Sequence, residues 1–270
     1  MGRVREDCGV KTDPTSSPPV DPDLVAQAVA WVQDAGRLTL DWFRRADLNV
    51  EHKGDGTPVT AADKAAERFL RGRILAAYPL DAIVGEEEAD TAGSSGNTWI
   101  IDPIDGTKAF TRGVPLYCNL LAMNDAHGPA IGVINLPAIG QTVWAGRGLG
   151  CFENGERCTV STTATMADAY VSSSSYSHWA EPALLAVKRS GASMRTWGDG
   201  YGFALVATGR IDVMIDPEAA LWDVAPMPVI LHEAGGRFSD LHGQHDPSTG
   251  SGVASNGVIH EQVLGLLEGA

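Results

Sequence analysis

The segment that decides the fold is Trp99-Ile100-Ile101-Asp102-Pro103-Ile104-Asp105-Gly106-Thr107-Lys108-Ala109-Phe110. Its first three residues are apolar and predict a buried strand, and Pro103 is expected to end the ladder of that strand because it has no N–H group. Two carboxylates, Asp102 and Asp105, then follow where the regular structure stops. Thr107 is expected to begin a helix, whose free N–H groups would face an anion. The segment therefore predicts a site that holds cations and a phosphate together.

Simpler interpretations of the same segment must be considered. Asp-Pro and Asp-Gly pairs are common turn formers, so a plain strand-to-turn junction is one alternative. An EF-hand calcium loop is excluded because Pro103 and Ile104 interrupt its pattern of oxygen ligands. A phosphatase of the haloacid dehalogenase type is excluded because Pro103 stands where its first, nucleophilic Asp would be. Gly106 permits close approach of the backbone to a ligand, which favours a binding site.

Composition and charge narrow the function classes. The chain has 270 residues, enough for one large or two modest domains, and its formal net charge is −14. Such acidity argues against nucleic acid or an anionic membrane as a partner. No apolar stretch approaches the roughly 20 residues that span a bilayer, and the N-terminus lacks the apolar core of a secretory signal. Four cysteines without a C-x-x-C pair suggest free thiols, so we expect a cytoplasmic enzyme.

The chain is expected to have three parts. Residues 1–22 are polar and rich in Pro and Ser, and they resemble a disordered leader. Residues 23–160 are expected to form an N-terminal α+β region that carries most of the acidic site. Residues 161–270 are expected to form a C-terminal α/β region. Asp21 as N-cap and Pro22 in the first turn predict that a long amphipathic helix begins at this boundary.

Local patterns predict further elements. Apolar stretches at 116–123, 130–136 and 142–145 alternate with turn residues and predict antiparallel strands. A helix is expected from Leu221 to Ala234, closed by Gly235-Gly236, with one turn distorted by Pro228. Thr60 and Asp63 form a capping-box pattern at the start of another helix.

Several acidic residues have a plain structural explanation when taken alone. Asp63 and Asp223 suit the first turn of a helix, where a carboxylate complements the helix dipole. Runs such as Glu86-Glu87-Glu88 are usually solvated, and Lys53 alone would be a solvated surface cation. The order of strand followed by acid, repeated at Glu86 and at Asp102, changes this expectation because strand ends of one sheet can converge.

Taken together, the motifs resemble one family, the magnesium-dependent, lithium-sensitive phosphomonoesterases of the inositol monophosphatase type. The resemblance extends from Asp23 to the C-terminus. It is carried by Asp55 to Asp63, Gly85-Glu86-Glu87, Asp102 to Thr107, Trp222-Asp223 and Glu233-Ala234-Gly235-Gly236. It implies an α+β or α/β fold with α/β/α/β/α layers and a homodimer. One departure is Ala109, where the family usually has Asn; we expect this change to alter loop support only.

The resemblance also implies roles for individual residues. The implied metal ligands are Glu86, Asp102, the backbone carbonyl of Ile104, Asp105 and Asp223. Asp63 and Thr107 are implied to orient and activate the attacking water, with Glu87 nearby and Lys53 acting electrostatically. Gly106 and Thr107 would bind the phosphate oxygens. Four carboxylates without His or Cys suit Mg²⁺, and two or three ions per site are expected.

The resemblance implies that the substrate is a small phosphate ester, and its identity is expected to depend on Asp199 and Asp216. Gly198-Asp199-Gly200-Tyr201 and Asp216-Pro217 resemble the histidinol-phosphate phosphatase branch of the family. A cationic substrate would explain the extra carboxylate, since a charge-assisted hydrogen bond contributes roughly 1.5–3 kcal/mol. Asp199 could instead be only a helix cap. Inositol phosphate, a broad range of phosphomonoesters, and a non-catalytic binding protein on the same fold remain alternatives.

Overall fold

The computed structural model describes residues 17–54 and 56–268. Most of the expected leader, and Asp55 of the first motif, lie outside the described residues. Helices of the described chain are α1 Pro22–Leu40, α2 Ala61–Ala77, α3 Thr107–Thr111, α4 Glu181–Arg189, α5 Asp199–Ala207, α6 Leu221–Val224, α7 Met227–Glu233 and α8 His260–Glu268. None of these helices is both long and apolar enough to cross a membrane.

The strands of the described chain form three sheets. They are β1 Val50–His52, β2 Pro58–Thr60, β3 Ala82–Gly85, β4 Thr98–Asp105, β5 Cys118–Asp125, β6 Gly128–Leu136, β7 Gln141–Gly146, β8 Gly150–Glu153, β9 Glu156–Arg157, β10 Tyr170–Ser172, β11 Ser193–Arg195, β12 Val213–Asp216, β13 Arg237–Ser239 and β14 Gly252–Ser255. A seven-stranded sheet has the order β3-β4-β5-β6-β7-β8-β9, and a five-stranded sheet has the order β11-β10-β12-β14-β13. β1 and β2 pair separately.

Helices cover both faces of each large sheet. α1 and α2 pack on one face of the seven-stranded sheet, α5 and α7 fill the space between the two sheets, and α4 and α8 cover the outer face of the five-stranded sheet. Strand β5 shows the consequence, because Leu120 packs in the middle layer and Leu121 in the outer layer. A strand covered on both faces is apolar at successive positions. The expected α/β/α/β/α layering is confirmed.

The local predictions at the start of α1 and α2 are confirmed. Asp21 caps α1 by accepting a hydrogen bond from the Asp23 N–H at 2.9 Å, and Pro22 occupies the first turn. The Thr60–Asp63 capping box is also present. The strands expected between residues 116 and 145 are β5, β6 and β7, and they pair antiparallel. The division of the chain near residue 160 stays a prediction, although the seven-stranded sheet ends at Arg157 and the five-stranded sheet begins at Tyr170.

Two expectations were wrong. Strand β4 does not end at Pro103 but continues to Asp105, with a register shift between Asp102 and Asp105. The carbonyl of Pro103 accepts a 2.6 Å hydrogen bond from the Asn119 amide, which supports the irregular backbone. The helix expected from Leu221 to Ala234 is two helices, α6 and α7, because the break falls at Ala225 and Pro226 rather than at Pro228.

Candidate active site

Two parallel strands bring the first acidic residues together. β3 pairs with β4 so that Gly85 lies opposite Ile101. The next residues along each strand are Glu86 and Asp102, and the carboxyl ends of parallel strands meet at one edge of a sheet. The charge of Glu86 acts directly on Asp102, as expected for neighbouring carboxylates. The two acidic residues that follow strands in the sequence therefore meet at one edge of the sheet, as expected.

The irregularity in β4 explains why Asp102 and Asp105 share this edge. Asp102 lies opposite Leu120 and Asp105 lies opposite Cys118, so three steps along β4 match two steps along β5. Residues three apart on a regular strand would point to opposite faces, and one extra residue in a bulge restores a common direction. Helix α6 adds Asp223, and oxygens of Asp102, Asp105 and Asp223 lie within 4.8 Å of one another.

These three carboxylates are held in an unfavourable electrostatic environment. Burial raises the pKa of Asp102 well above its ordinary value, and repulsion from Glu86, Asp105 and Asp223 raises it further. Burial, followed by repulsion from Asp199 and Asp223, raises the pKa of Asp105 in the same way. Burial raises the pKa of Asp223 to about 7, although its carboxylate accepts a hydrogen bond from the Ala220 N–H. In the part of the chain that the structure describes, none of these three carboxylates has an ion-pair partner, so their mutual repulsion is not compensated.

The cluster fits a hard divalent cation. Asp102 Oδ1 is buried and has no hydrogen-bond partner among the described residues. A buried, unpaired carboxylate oxygen is costly unless a cation or a donor compensates it. The donors are all oxygen, which suits Mg²⁺ and not zinc or copper. Asp102, Asp105 and Asp223 therefore have the chemistry of the expected metal ligands.

Lys53 lies beside the two glutamates that follow β3. Its Nζ is 2.7 Å from Glu86 Oε1 and 2.5 Å from Glu87 Oε1. Burial lowers the pKa of Lys53, but hydrogen bonds and attraction from both glutamates outweigh it, and the net pKa is raised. Burial raises the pKa of Glu87 to about 7, since repulsion from Glu86 and Asp63 adds to burial and offsets the effect of Lys53. The positive charge expected at Lys53 is thus directly at the site.

Asp63 has one anchored and one free oxygen. Its Oδ2 accepts hydrogen bonds from the Thr60 N–H at 2.8 Å and from the Thr60 hydroxyl at 2.6 Å. Its Oδ1 is buried without a hydrogen-bond partner in the described chain. Burial raises the pKa of Asp63 to about 6 against the effect of the Thr60 bonds. Asp63 is thus both a helix cap and a buried group with an unused acceptor.

Thr107 contacts the backbone carbonyl of Ile104, which is one of the expected metal ligands. Its hydroxyl donates a 2.9 Å hydrogen bond to the carbonyl oxygen of Ile104. No hydrogen bond between Asp63 and Thr107 is present within residues 56–268, so their expected cooperation on a water molecule stays a prediction. Helix α3 begins at Thr107, as expected, and Gly106 precedes it with φ +78°. Only Gly adopts this left-handed conformation without cost.

Asp199 lies at the acidic cluster and does not cap α5 through its side chain. A Cβ added at Gly106 would meet Asp199 Oδ2 at 2.9 Å, so the two residues are in close contact. Asp199 has φ +53°, a strained conformation for a residue with a side chain. The N–H of Gly200 donates to Asp105 Oδ2. The turn that begins α5 therefore ties Asp199 to the metal-type cluster, and burial raises the pKa of Asp199.

Asp216 is more deeply placed than Asp199. Its Oδ1 accepts a 2.8 Å hydrogen bond from the Ser174 N–H, and its Oδ2 accepts a 2.6 Å bond from the Ser174 hydroxyl. Ser174 Oγ in turn accepts a 2.7 Å hydrogen bond from the Asp199 N–H. Burial raises the pKa of Asp216 to about 6. Since both Asp216 oxygens are engaged, its geometry favours support of Ser174 and Asp199 over direct substrate contact, which stays a prediction.

Comparison with known proteins identifies the family. The profile described as "Inositol monophosphatase family" matches residues 21–270. The chain belongs to the inositol monophosphatase family. The histidinol-phosphatase of Streptomyces coelicolor is 40% identical over 256 residues, covering 90% of this chain and 95% of that protein. The histidinol-phosphatase of Mycobacterium tuberculosis is 38% identical over 251 residues, covering 90% of this chain and 96% of that protein.

The fold comparison agrees with the family assignment. The solved structure of the IMPase of Thermotoga maritima matches with a TM-score of 0.84 and 30% identity, covering 92% of this chain and 97% of that chain. The five-layered fold of this chain is thus similar to that of a solved inositol monophosphatase.

Three residues that support the site were not predicted from the sequence. Glu67 and Arg71 are buried on α2 and contact the loop that carries Glu86 and Glu87. Glu67 follows Asp63 by four residues, so helical spacing could have indicated that both face the same region. Ser174 lies within a run of serines, and nothing in that run distinguishes it from its neighbours.

Proposed function

We propose that the protein is a magnesium-dependent phosphomonoesterase that hydrolyses L-histidinol phosphate to L-histidinol and phosphate, as a step in histidine biosynthesis. The observation that carries the phosphatase assignment is the buried carboxylate cluster of Asp102, Asp105 and Asp223, whose oxygens lie within 4.8 Å of one another. Support for the substrate comes from relatives at 38% and 40% identity that are named histidinol-phosphatases. Asp199, beside this cluster, offers a negative charge to a cationic substrate.

In this proposal Glu86, Asp102, Asp105, Asp223 and the carbonyl of Ile104 hold two or three Mg²⁺ ions. The bound ions would lower the pKa of water and stabilise the leaving oxygen of the ester. The chain's own contribution is to keep the carboxylates close together although their charges repel. The hydrogen bond from the Ala220 N–H to Asp223, at 2.7 Å, is one such restraint.

Asp63, Thr107 and Glu87 handle protons around the attacking water. Asp63 Oδ1 is free to accept a hydrogen bond from that water, because Thr60 holds the other oxygen. A pKa of about 6 for Asp63 and of about 7 for Glu87 places both near the working pH of a general base. The Thr107 hydroxyl donates its hydrogen bond to the carbonyl oxygen of Ile104, so the hydroxyl oxygen remains an acceptor for water.

Gly106, Thr107 and Asp199 are proposed to bind the ester. Backbone N–H groups of Gly106 and Thr107 would contact phosphate oxygens. Asp199, next to Gly106, would accept a hydrogen bond from the ammonium or imidazole group of histidinol phosphate, with Asp216 supporting it through Ser174. Lys53 would balance the charge of the two glutamates.

The test compares L-histidinol phosphate with inositol 1-phosphate on the same preparation, with Mg²⁺ and after EDTA treatment. We expect a higher kcat/KM for histidinol phosphate than for inositol 1-phosphate. After EDTA treatment we expect no turnover of either substrate. Asp199→Asn is expected to lower kcat/KM for histidinol phosphate by about 10- to 100-fold, since a charge-assisted hydrogen bond is lost. The value for inositol 1-phosphate, which has no cation, should change little.

Asp168→Asn is a matched control, because Asp168 is exposed and precedes β10, at the opposite end of that strand from Ser174. A clear preference of the wild type for inositol 1-phosphate would contradict the proposed substrate. Absence of metal-dependent phosphate release from any ester would favour a non-catalytic binding protein.

We also propose that the enzyme is a cytoplasmic homodimer that binds neither nucleic acid nor membranes. The acidic charge of −14 supports the part of the proposal that concerns nucleic acid and anionic membranes, and the homodimer is what the family resemblance implies. Light scattering would test the dimer, since the chain mass is 28.4 kDa and twice that value is expected.

A further inference from the structure

The turn Glu86-Glu87-Glu88, which we call the glutamate turn, is held from behind by a buried ion pair. Glu67 is fully buried and Arg71 is 6% exposed, and both lie on α2. Arg71 Nε donates a 2.8 Å hydrogen bond to Glu67 Oε1. Burial of two charges is costly, and a buried ion pair by itself is weak evidence of a stabilising role. Its partners in the glutamate turn indicate another role.

Glu67 binds the backbone of the glutamate turn with both carboxylate oxygens. Its Oε2 accepts a 2.7 Å hydrogen bond from the Glu87 N–H, and its Oε1 accepts a 3.1 Å bond from the Glu88 N–H. Arg71 Nη2 donates a 3.0 Å hydrogen bond to the Glu88 carbonyl. The pair therefore fixes donors and an acceptor of the turn, while the Glu86 and Glu87 side chains face Lys53 and the acidic cluster.

Gly85 provides a second, independent indication. A Cβ added there would overlap Glu67 Oε1 and lie 2.7 Å from Arg71 Nη2. The last residue of β3 must lack a side chain so that the ion pair can reach the backbone beyond it. A glycine is therefore required at position 85 by the contact with Glu67 and not by the strand itself.

We propose that Glu67, oriented by Arg71, is a positioning residue that sets the affinity of the acidic site for Mg²⁺ by holding the glutamate turn in place. The inference rests on the proposed function in so far as Glu86 is a metal ligand. Glu67 acts through the backbone and touches neither metal nor substrate. Groups that orient metal ligands commonly change metal affinity by about 10- to 100-fold when mutated.

The test uses Glu67→Gln, which keeps the size of the side chain. The amide of Gln replaces one acceptor oxygen by a donor, so at least one N–H of the turn loses its partner. We expect the Mg²⁺ dissociation constant, measured by calorimetry on the full chain, to rise about 10- to 100-fold. Hydrogen exchange at the Glu87 or the Glu88 amide, whichever loses its acceptor, should accelerate at least about tenfold, because that amide would no longer be protected. Gly85→Ala should produce the same two changes.

The matched control is Asp125→Asn. Asp125 is paired with Arg147 at 2.5 Å, in a partly buried ion pair far along the sheet at the opposite end of β5 from Cys118. We expect this variant to lose stability while Mg²⁺ affinity and exchange at the glutamate turn stay at wild-type values. A merely structural role for Glu67 would give the same pattern as the control, and that result would overturn the proposal.

Hydrogen exchange at the Glu87 and Glu88 amides of the wild type tests the proposal even if Glu67→Gln does not fold. Slow exchange at both amides of this solvent-near turn is expected, and fast exchange would contradict the proposal. The outcome is separate from the proposed function. A wild type that neither binds Mg²⁺ nor releases phosphate would refute that function, whereas normal Mg²⁺ affinity in Gly85→Ala and Glu67→Gln would refute only the role of Glu67.

Discussion

Asp102 and Asp212 are both buried aspartates, but they lie in contrasting regions of the molecule. Asp212 directly precedes β12 of the five-stranded sheet, and its oxygens accept hydrogen bonds from the Ser161 hydroxyl at 2.5 Å and the Tyr170 N–H at 2.7 Å. Asp102 is surrounded by other carboxylates, and its Oδ1 has no partner in the described chain. A buried carboxylate with two donors stabilises local structure, whereas one with only like charges around it serves a cation.

The largest effect is expected where charges are crowded. Asp105→Asn should lower kcat with histidinol phosphate by at least about 1,000-fold, because removal of one ligand charge forfeits several kcal/mol of transition-state stabilisation. The metal-free fold should be retained or slightly stabilised, since burial and repulsion from Asp199 and Asp223 disfavour the charge of Asp105. Steady-state kinetics and thermal melts check both expectations. Wild-type turnover in this variant would remove Asp105 from the metal site.

The opposite result is expected at Asp212. Asp212→Ala should lower the free energy of unfolding by about 1–3 kcal/mol, because the Ser161 hydroxyl and the Tyr170 N–H lose their shared acceptor. We expect kcat to stay within about twofold of the wild type, since the change touches no substrate or metal. Urea unfolding and kinetics on the same sample distinguish the two quantities. A large loss of kcat with unchanged stability would contradict the structural role of Asp212 and its difference from Asp102.

A smaller effect should appear in the pH dependence of metal stabilisation. The pKa values of Asp63, Glu87 and Asp223 are raised to about 6, 7 and 7 from 3.8, 4.5 and 3.8. The metal-free folded state therefore binds more protons than the unfolded state, and these groups reduce stability as pH rises through about 6–7. Mg²⁺ bound to these carboxylates, as proposed, would replace those protons.

The gain in Tm from saturating Mg²⁺ should consequently be larger at pH 8 than at pH 5.5. We expect a difference of at least about 2–4 °C, the shift that 1 kcal/mol produces in a chain of this size. Differential scanning calorimetry at both pH values gives the two gains directly. Equal gains would mean that the crowded carboxylates do not exchange protons for the metal.

Features written in local sequence were predictable. The cap at Asp21, the Thr60–Asp63 capping box and the alternating strands depend on neighbouring residues. Acids that follow strands could also be found from the sequence, because parallel strand ends converge whatever the rest of the fold does.

Features that depend on distant contacts were not predictable. Strand β4 continues through Pro103 with a register shift, and the distant Asn119 amide binds the Pro103 carbonyl there, whereas a proline in the sequence alone indicates the end of a strand. Glu67 contacts Glu87 across 20 residues. The helical spacing from Asp63 indicates the face of α2 on which Glu67 lies, but not that Glu67 binds the glutamate turn. Ser174 links Asp216 to Asp199 in the same way.

Mn²⁺ can replace Mg²⁺ at oxygen-rich sites and has a measurable X-ray absorption edge, so anomalous diffraction from Mn²⁺-soaked crystals tests the central claim most directly. We expect anomalous peaks between the carboxylates of Asp102, Asp105 and Asp223, with the proposed ligand Glu86 next to one of them. The peak bound by Asp105 should be lost in Asp105→Asn and kept in Asp212→Ala. Crystals that show no peak at this cluster, or peaks only elsewhere, would contradict the account.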